Sequence, residues 1–363
     1  MKIRDITTAL ERFAPLGLAL EWDNVGLLLG DAGQEVERVL VTLDVTRAAV
    51  DKAVRTGCRL VVSHHPLFLK PLARINNPLI LRLARHGIAV YCAHTNLDVA
   101  RGGVNHALAA RLGLRDCILL SHESGAEPLH VAVYVPSDAA QRVADAVHEA
   151  GAGVMGNYSH CLNSYPVDGR FRPLEGAHPA VGSVGKMESV REDKLEFFCD
   201  TAHLDAVLSA MRSAHPYETP AYAVYPQRRP DPNHGLGLVG ELSEPMTLRG
   251  VAELVRERLG APVAQLWPAG QPEDKLVRRV AVCGGSGGTL TRAARAAGAE
   301  VFVLGESNYH GMLDSSVPLV LAGHFHTENP IVPVLAARLR ELELNVEELT
   351  AAEHEIDRLR VIT

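Results

Sequence analysis

Four times the sequence sets histidine and acidic residues directly behind an apolar run. His64 and His65 follow "RLVV", and His94 and Asp98 follow "IAVYC". Glu306 and His310 follow "VFVLG", and His324 and Glu328 follow "PLVLA". Imidazoles joined by two carboxylates suit zinc, iron or manganese better than calcium. Inside a strand, neighbouring side chains point to opposite faces, so a "HH" pair would be divided. Beyond the strand end that constraint lapses, and Pro66 restricts His65 to an extended or turn conformation. Adjacent imidazoles there could hold two different ions about 3.5–4 Å apart, with Asp98 offering one oxygen to each. His324 and Glu328 stand at i and i+4, on one helical face. Such ions could activate water near neutral pH and leave positive charge for an anionic substrate. His94 and His310 are candidates for proton transfer or for support of the ligands. Taken singly, each histidine reads as a hydrogen-bonded core or surface residue, so the weight rests on the set.

These residues need strands to deliver them. "RVLVTLDVT" (38–46), "CRLVVSHHP" (58–66) and "IAVYCAHTNLD" (88–98) read as buried strands running into loops. "RAAVDKAVRTG" and "PLILRLARHG" are helices closed by Gly57 and Gly87. The alternation returns after residue 227, with strands in "KLVRRVAVCGG", "AEVFVLG" and "VPLVLAG". Near-continuously apolar strands alternating with helices imply a mostly parallel sheet covered by helices. In such sheets ligands bind outside the carboxyl ends of the strands. Between the two halves the pattern changes to β-α-β-β-α-β, the order of a ferredoxin-like module. The expected division is 1–127 and 227–363 as one α/β domain, interrupted by an α+β insert at 128–226. The crowded "PQRRPDPNHG" serves as its linker.

The 363 residues allow two or three domains, and 47% apolar residues allow a sizeable core. A formal net charge of −7 and no long basic run weigh against nucleic acid. Six scattered cysteines without a C-x-x-C pair read as reduced core residues of a cytoplasmic protein. The amino-terminal segment carries Asp5, Glu11 and Arg12 where a signal peptide would be apolar, and no apolar stretch approaches a membrane span. "CGGSGG" (283–288) lacks the Lys-Ser/Thr ending of a P-loop and reads as a strand-to-helix turn. "HPYETP" could place His215 and Glu218 near a ligand, but a turn shaped by Pro216 and Pro220 is the simpler reading.

"WDNVGLLLGD", "LVVSHHPLF", "AHTNLD", "GESNYHGMLDSS" and "AGHFHTEN" resemble, in this order, the motifs of the dinuclear-metal-centre hexamer family. Its members are often labelled GTP cyclohydrolase 1 type 2 homologues. "GNYSHC", "GRFRPLEGAHPAVG" and "AHPYETPAY" resemble the PII-like insert of its longer bacterial members. The resemblance implies two divalent ions held by His64, His65, Asp98, His324 and Glu328, with Asp98 bridging. His326 also stands in the last motif, and spacing to Glu328 favours His324. Glu306 occupies a position where many members carry Asp. The resemblance further implies a homohexamer, a trimer of dimers. The expected function is metal-dependent hydrolysis of a small anionic or nucleotide-like substrate. The alternatives are a non-catalytic metal store, chaperone or sensor, and a ring-shaped scaffold for partners.

Overall fold

A computed structural model describes residues 1–70, 72–121, 129–155, 158–201, 203–227 and 234–358. In chain order the first strands are β1 (Gly26–Leu29), β2 (Arg38–Thr42), β3 (Leu60–Ser63), β4 (Ala89–Cys92) and β5 (Arg115–Leu119). Then come β6 (Leu129–Pro136), β7 (Leu162–Phe171), β8 (Glu188–Cys199) and β9 (Tyr222–Pro226). The last are β10 (Leu238–Thr247), β11 (Gln265–Trp267), β12 (Leu276–Cys283), β13 (Val301–Leu304), β14 (Leu319–Leu321) and β15 (Asn345–Glu348). The chain divides into two compact units, Met1–Gly125 with Asp231–Thr363, and Ala126–Pro230. The junction expected at 127/128 and most of the expected linker 226–235 lie outside the described residues.

The first unit is α/β and holds two sheets. One runs β1-β4-β3-β2-β15, parallel except for β1 at its edge. The other runs β11-β14-β13-β12-β10-β5, with β12, β13 and β14 parallel and the rest antiparallel. Every residue of β3, β4, β13 and β14 is buried, which is why these strands read as unbroken apolar runs. Alternate residues of β12 and β13 enter opposite cores. Val280, Val282, Val301 and Val303 meet helices Val104–Leu112 and Leu248–Leu259. Ala281, Phe302 and Leu304 pack with Leu290 and Ala294. Truncating Phe302 to alanine would cost about 3–5 kcal/mol by the usual range for core aromatics.

Local signals set the crossovers. Thr46 caps helix Arg47–Thr56 by accepting from the Ala49 N–H, and Gly57 ends it at φ 73°. That left-handed conformation is inexpensive only for glycine. Asn77 caps helix Pro78–Arg85, whose first residue is proline. The stretch 38–46 departs from the expected strand, which stops at Thr42. Beyond it the Thr42 hydroxyl and the Thr46 N–H both donate to the Asp44 carbonyl, turning the chain.

The second unit has sheet order β7-β8-β6-β9, antiparallel throughout. With helices Ala140–Glu149 and Leu204–Ala214 this is the ferredoxin-like arrangement. Val131, Val133, Val135, Leu195 and Phe197 form its core with Val143, Val147, Val207 and Met211. Among the described residues no helix is long and apolar enough to cross a membrane.

Candidate metal centre

The parallel strands of both sheets in the first unit deliver polar residues at their carboxyl ends. The ladder continues one step beyond β3, where the His64 and His65 N–H groups donate to Thr42 and Leu43 carbonyls. The Ala93 N–H likewise reaches back to Ser63. Two five-residue helices then begin, Thr95–Val99 after β4 and His324–Glu328 after β14. The first carries Asp98, and the second places His324 and Glu328 one turn apart.

Past the strand end the two neighbouring imidazoles lie together, ring centroids 5.0 Å apart. His94 stands 5.2 Å from His64 and 5.5 Å from His65, and His324 stands 5.3 Å from His65. Three overlapping groups converge so that their nitrogens and oxygens lie within 4.8 Å of one another: His64, His65 and His94; His65, His324 and Glu328; His64, Asp98 and Glu328. All five residues expected as ligands are therefore gathered, with His94 beside them. His326 is in none of these groups; its ring lies against Phe325. His310 is also in none of them and is exposed on helix Tyr309–Leu313 beside Tyr309.

Each of the four clustered imidazoles has its Nδ1 engaged elsewhere. His64 Nδ1 donates to the Ala93 carbonyl at 2.9 Å. His65 Nδ1 meets Asp44 at 2.7 Å, His94 Nδ1 meets Asp23 at 2.9 Å, and His324 Nδ1 meets Glu306 at 3.0 Å. A carbonyl or carboxylate on one ring nitrogen fixes the tautomer and directs the other nitrogen, as at metal-bound histidines. His64 is fully buried, yet its Nε2 has no hydrogen-bond partner. It lies 3.7 Å from Asp98 Oδ1 and 3.9 Å from Glu328 Oε2. Glu328 Oε2 is 3.0 Å from His65 Nε2 and 3.1 Å from His324 Nε2, but it too lacks a hydrogen bond. These close approaches are ion pairs. Buried polar atoms normally find partners. A shared cation among these lone pairs would supply them, so the donor set fits divalent metal.

The electrostatics of the cluster are strained in the same sense. Burial pushes His64 down to about 4, so it is neutral at pH 7. Burial would lower His65 as well, but Asp44 and Glu328 outweigh it and raise it to about 10. Glu328 first, and Glu306 after it, raise His324 to about 9 against burial. Burial and then the nearby Glu328 charge hold Asp98 well above the usual carboxylate range. Burial opposes ionisation of Glu328 too, but His324 and His65 hold it below that range. Two carboxylates this close ionise together only with added positive charge.

Glycines after β12 make the space. A Cβ on Gly285 would fall 2.2 Å from Glu328 Oε1 and 3.0 Å from His324 Nε2, and its φ is +62°. The "CGGSGG" turn thus closes onto the cluster. The Gly284 N–H donates to Asn105, whose amide donates to the Asp98 carbonyl, and the Gly285 N–H donates to Thr327. Asp23, Asp44, Asn105 and Thr327 were not singled out from the sequence. Asp44 sits just beyond β2, so the strand-end rule that marked the histidines would have found it. Asp23 lies in the quoted "WDN" and also accepts from the Thr95 N–H and hydroxyl. Trp22 beside it is exposed, its indole edge-on to His94 at 6.0 Å.

Comparison with known proteins agrees with the motifs. The profile of the Duf34/NIF3 (NGG1p interacting factor 3) family matches residues 1–356. A Bacillus subtilis protein named GTP cyclohydrolase 1 type 2 homolog is 38% identical over 331 residues, 89% of this chain and 88% of its own. A Mycobacterium tuberculosis protein of the same name is 38% identical over 340 residues, covering 91% and 89%. Among solved structures, a Bacillus cereus protein related to NIF3 aligns with TM-score 0.74 and 36% identity, over 96% of both chains. A Staphylococcus aureus protein aligns with TM-score 0.76 and 28% identity, over 100% of this chain and 99% of the other. The motifs at the strand ends, the profile match and these relatives place the chain in the Duf34/NIF3 family.

Proposed function

We propose that the cluster holds two divalent transition-metal ions, zinc, iron or manganese, and that the protein is a metal-dependent hydrolase of a small anionic or nucleotide-like substrate. One observation carries this reading: His64, His65 and His324 each spend Nδ1 on an outer partner and bring Nε2 to the Glu328 carboxylate, His64 also to Asp98. His64, His65, Asp98, His324 and Glu328 are the proposed ligands, with Asp98 shared between the ions. Bound there, two divalent ions polarise a substrate oxygen, lower the pKa of water and bring more positive charge than the two carboxylates remove. The residual charge favours an anion. Asp44 and Glu306 hold His65 and His324 in place, as Asp23 holds His94. His94 is assigned proton transfer because it stands at the ring edges of His64 and His65. His310 is exposed and outside the groups, so that role is not extended to it.

The test is activity profiling of protein loaded with zinc, iron or manganese, on GTP, phosphomonoesters, phosphodiesters and simple amides. Turnover that disappears in the His64→Ala/His65→Ala variant is expected. Tight metal binding with no turnover across the panel would instead assign a metal-handling role. Family resemblance supports a homohexamer built as a trimer of dimers, and light scattering showing a stable monomer would remove that part.

A further inference from the structure

Two motifs that the metal centre does not use meet in the second unit. "GRFRPLEGAHPAVG" and "AHPYETPAY" wall a cavity of about 400 Å³, within the range of small-molecule sites. It opens on the side of the sheet away from the helices, since Tyr134 lines it while Val133 and Val135 face the helical core. Tyr134, Phe171, Pro173, Pro179 and Tyr217 give it a flat, apolar lining. The Phe171 and Tyr217 rings stand 6.0 Å apart at 58°.

Three charged residues interrupt this lining: Arg170 and Glu218 are exposed at it and Glu192 is buried, and Arg170 makes no ion pair with Glu192. Glu192 lines the cavity although it is only 6% exposed. Tyr217 donates its hydroxyl to Glu192 Oε1 at 2.9 Å. Among the described residues no cationic side chain pairs with this carboxylate. Arg191 bridges to Asp168 and Lys194 to Glu196. His215 is buried nearby, but both its nitrogens are spent: Nε2 donates to the Tyr134 carbonyl, and Nδ1 accepts from the Tyr217 N–H. That leaves a neutral imidazole, and burial lowers its pKa further. A buried carboxylate without counter-charge is costly, which is tolerated where a ligand supplies the missing charge.

Gly169 points the same way. Its backbone is not in the left-handed region, so glycine is not required for conformation. A Cβ there would fall 2.2 Å from Glu192 Oε2. The bare glycine leaves the carboxylate its seat on the cavity wall.

We propose that this cavity is a binding site for a small aromatic cation, with its amine or amidine on Glu192 and its ring against Phe171, Tyr134 and Tyr217. The site is independent of the metal centre and of the hydrolase reading. The alternative is that the Glu192–Tyr217 bond only ties the 215–221 turn to the sheet.

Benzamidinium is a suitable probe, titrated by calorimetry into the full-length protein, with benzoate and benzyl alcohol as controls. Saturable benzamidinium binding with a Kd below about 1 mM is expected, with neither control bound comparably. Glu192→Gln keeps the acceptor for Tyr217 but removes the charge, so it should weaken binding about tenfold or more while leaving the melting temperature and metal content unchanged. Gly169→Ala should weaken it similarly by displacing the carboxylate, and it serves as a second variant if Glu192→Gln folds poorly. No saturable binding, equal binding of benzoate, or unchanged affinity in both variants would overturn the proposal.

Discussion

Loading the metal-free protein with zinc at pH 7 should expel protons, and the number follows from the site. A histidine ligates through a neutral nitrogen, so any proton on a ligating Nε2 must leave. His64, held near 4 by burial, has none to give. His65 is raised to about 10 by Asp44 and Glu328 against burial, and His324 to about 9, chiefly by Glu328. Both are protonated at pH 7, so about two protons per chain come from the histidines. Burial and the Glu328 charge also push Asp98 upward, which works in the same direction. Two protons exchanged for two ions make the overall constant for loading both rise about a hundredfold per pH unit, about tenfold per ion, between pH 7 and about 9. The assay is titration calorimetry in buffers of different ionisation enthalpy, where the dependence of heat on that enthalpy counts protons. Asp44→Asn removes one of the two carboxylates that raise His65 and should bring the count down. A count near zero in the native protein, or no change in Asp44→Asn, would refute the electrostatic reasoning.

Two further outcomes are expected. Gly285→Ala strains a residue at φ +62° and drives a methyl group into Glu328 and His324; competition with a chromophoric chelator should show metal affinity reduced at least about tenfold, and calorimetric melting a loss of about 1–2 kcal/mol. Replacing Ala126–Pro230 with a short Gly/Ser linker should leave a soluble, folded first unit that keeps its metals, because each unit has its own core and all five proposed ligands lie outside the insert. Elemental analysis and circular dichroism of several linker lengths check this, and metal-free or unfolded product from all of them would contradict it.

The strand ends were legible because β3, β4, β13 and β14 are buried on both faces, so each apolar run stops where the chain leaves the sheet. His64, His65, His94 and His324 stood out against those stops. β1 was not read as a strand, because its four-residue run is short and follows no helix directly. β5, β10, β11 and β15 were not read as strands either. They lie at or toward the sheet margins, where residues such as Arg115, Glu244 and Asn345 are exposed and no apolar run forms. Nor does a string of apolar runs say which strands pair, so the division of the first unit into two sheets was not available from pattern alone. Asp44 was hidden because 38–46 reads as one strand, whereas the ladder ends at Thr42. The "CGGSGG" turn was legible as a turn, but its closeness to Glu328 depends on the neighbouring strands. His310 follows β13 by the same rule as the others, yet its helix leaves it exposed, because position after a strand does not fix the direction of the next loop.

The central claim is a two-metal centre at the carboxyl ends of these strands. The most direct test is anomalous diffraction at the metal absorption edge, on crystals of protein purified without chelator. The account predicts two peaks per chain about 3.5–4 Å apart, among His64, His65, Asp98, His324 and Glu328. A single peak, or peaks at other residues, would contradict it.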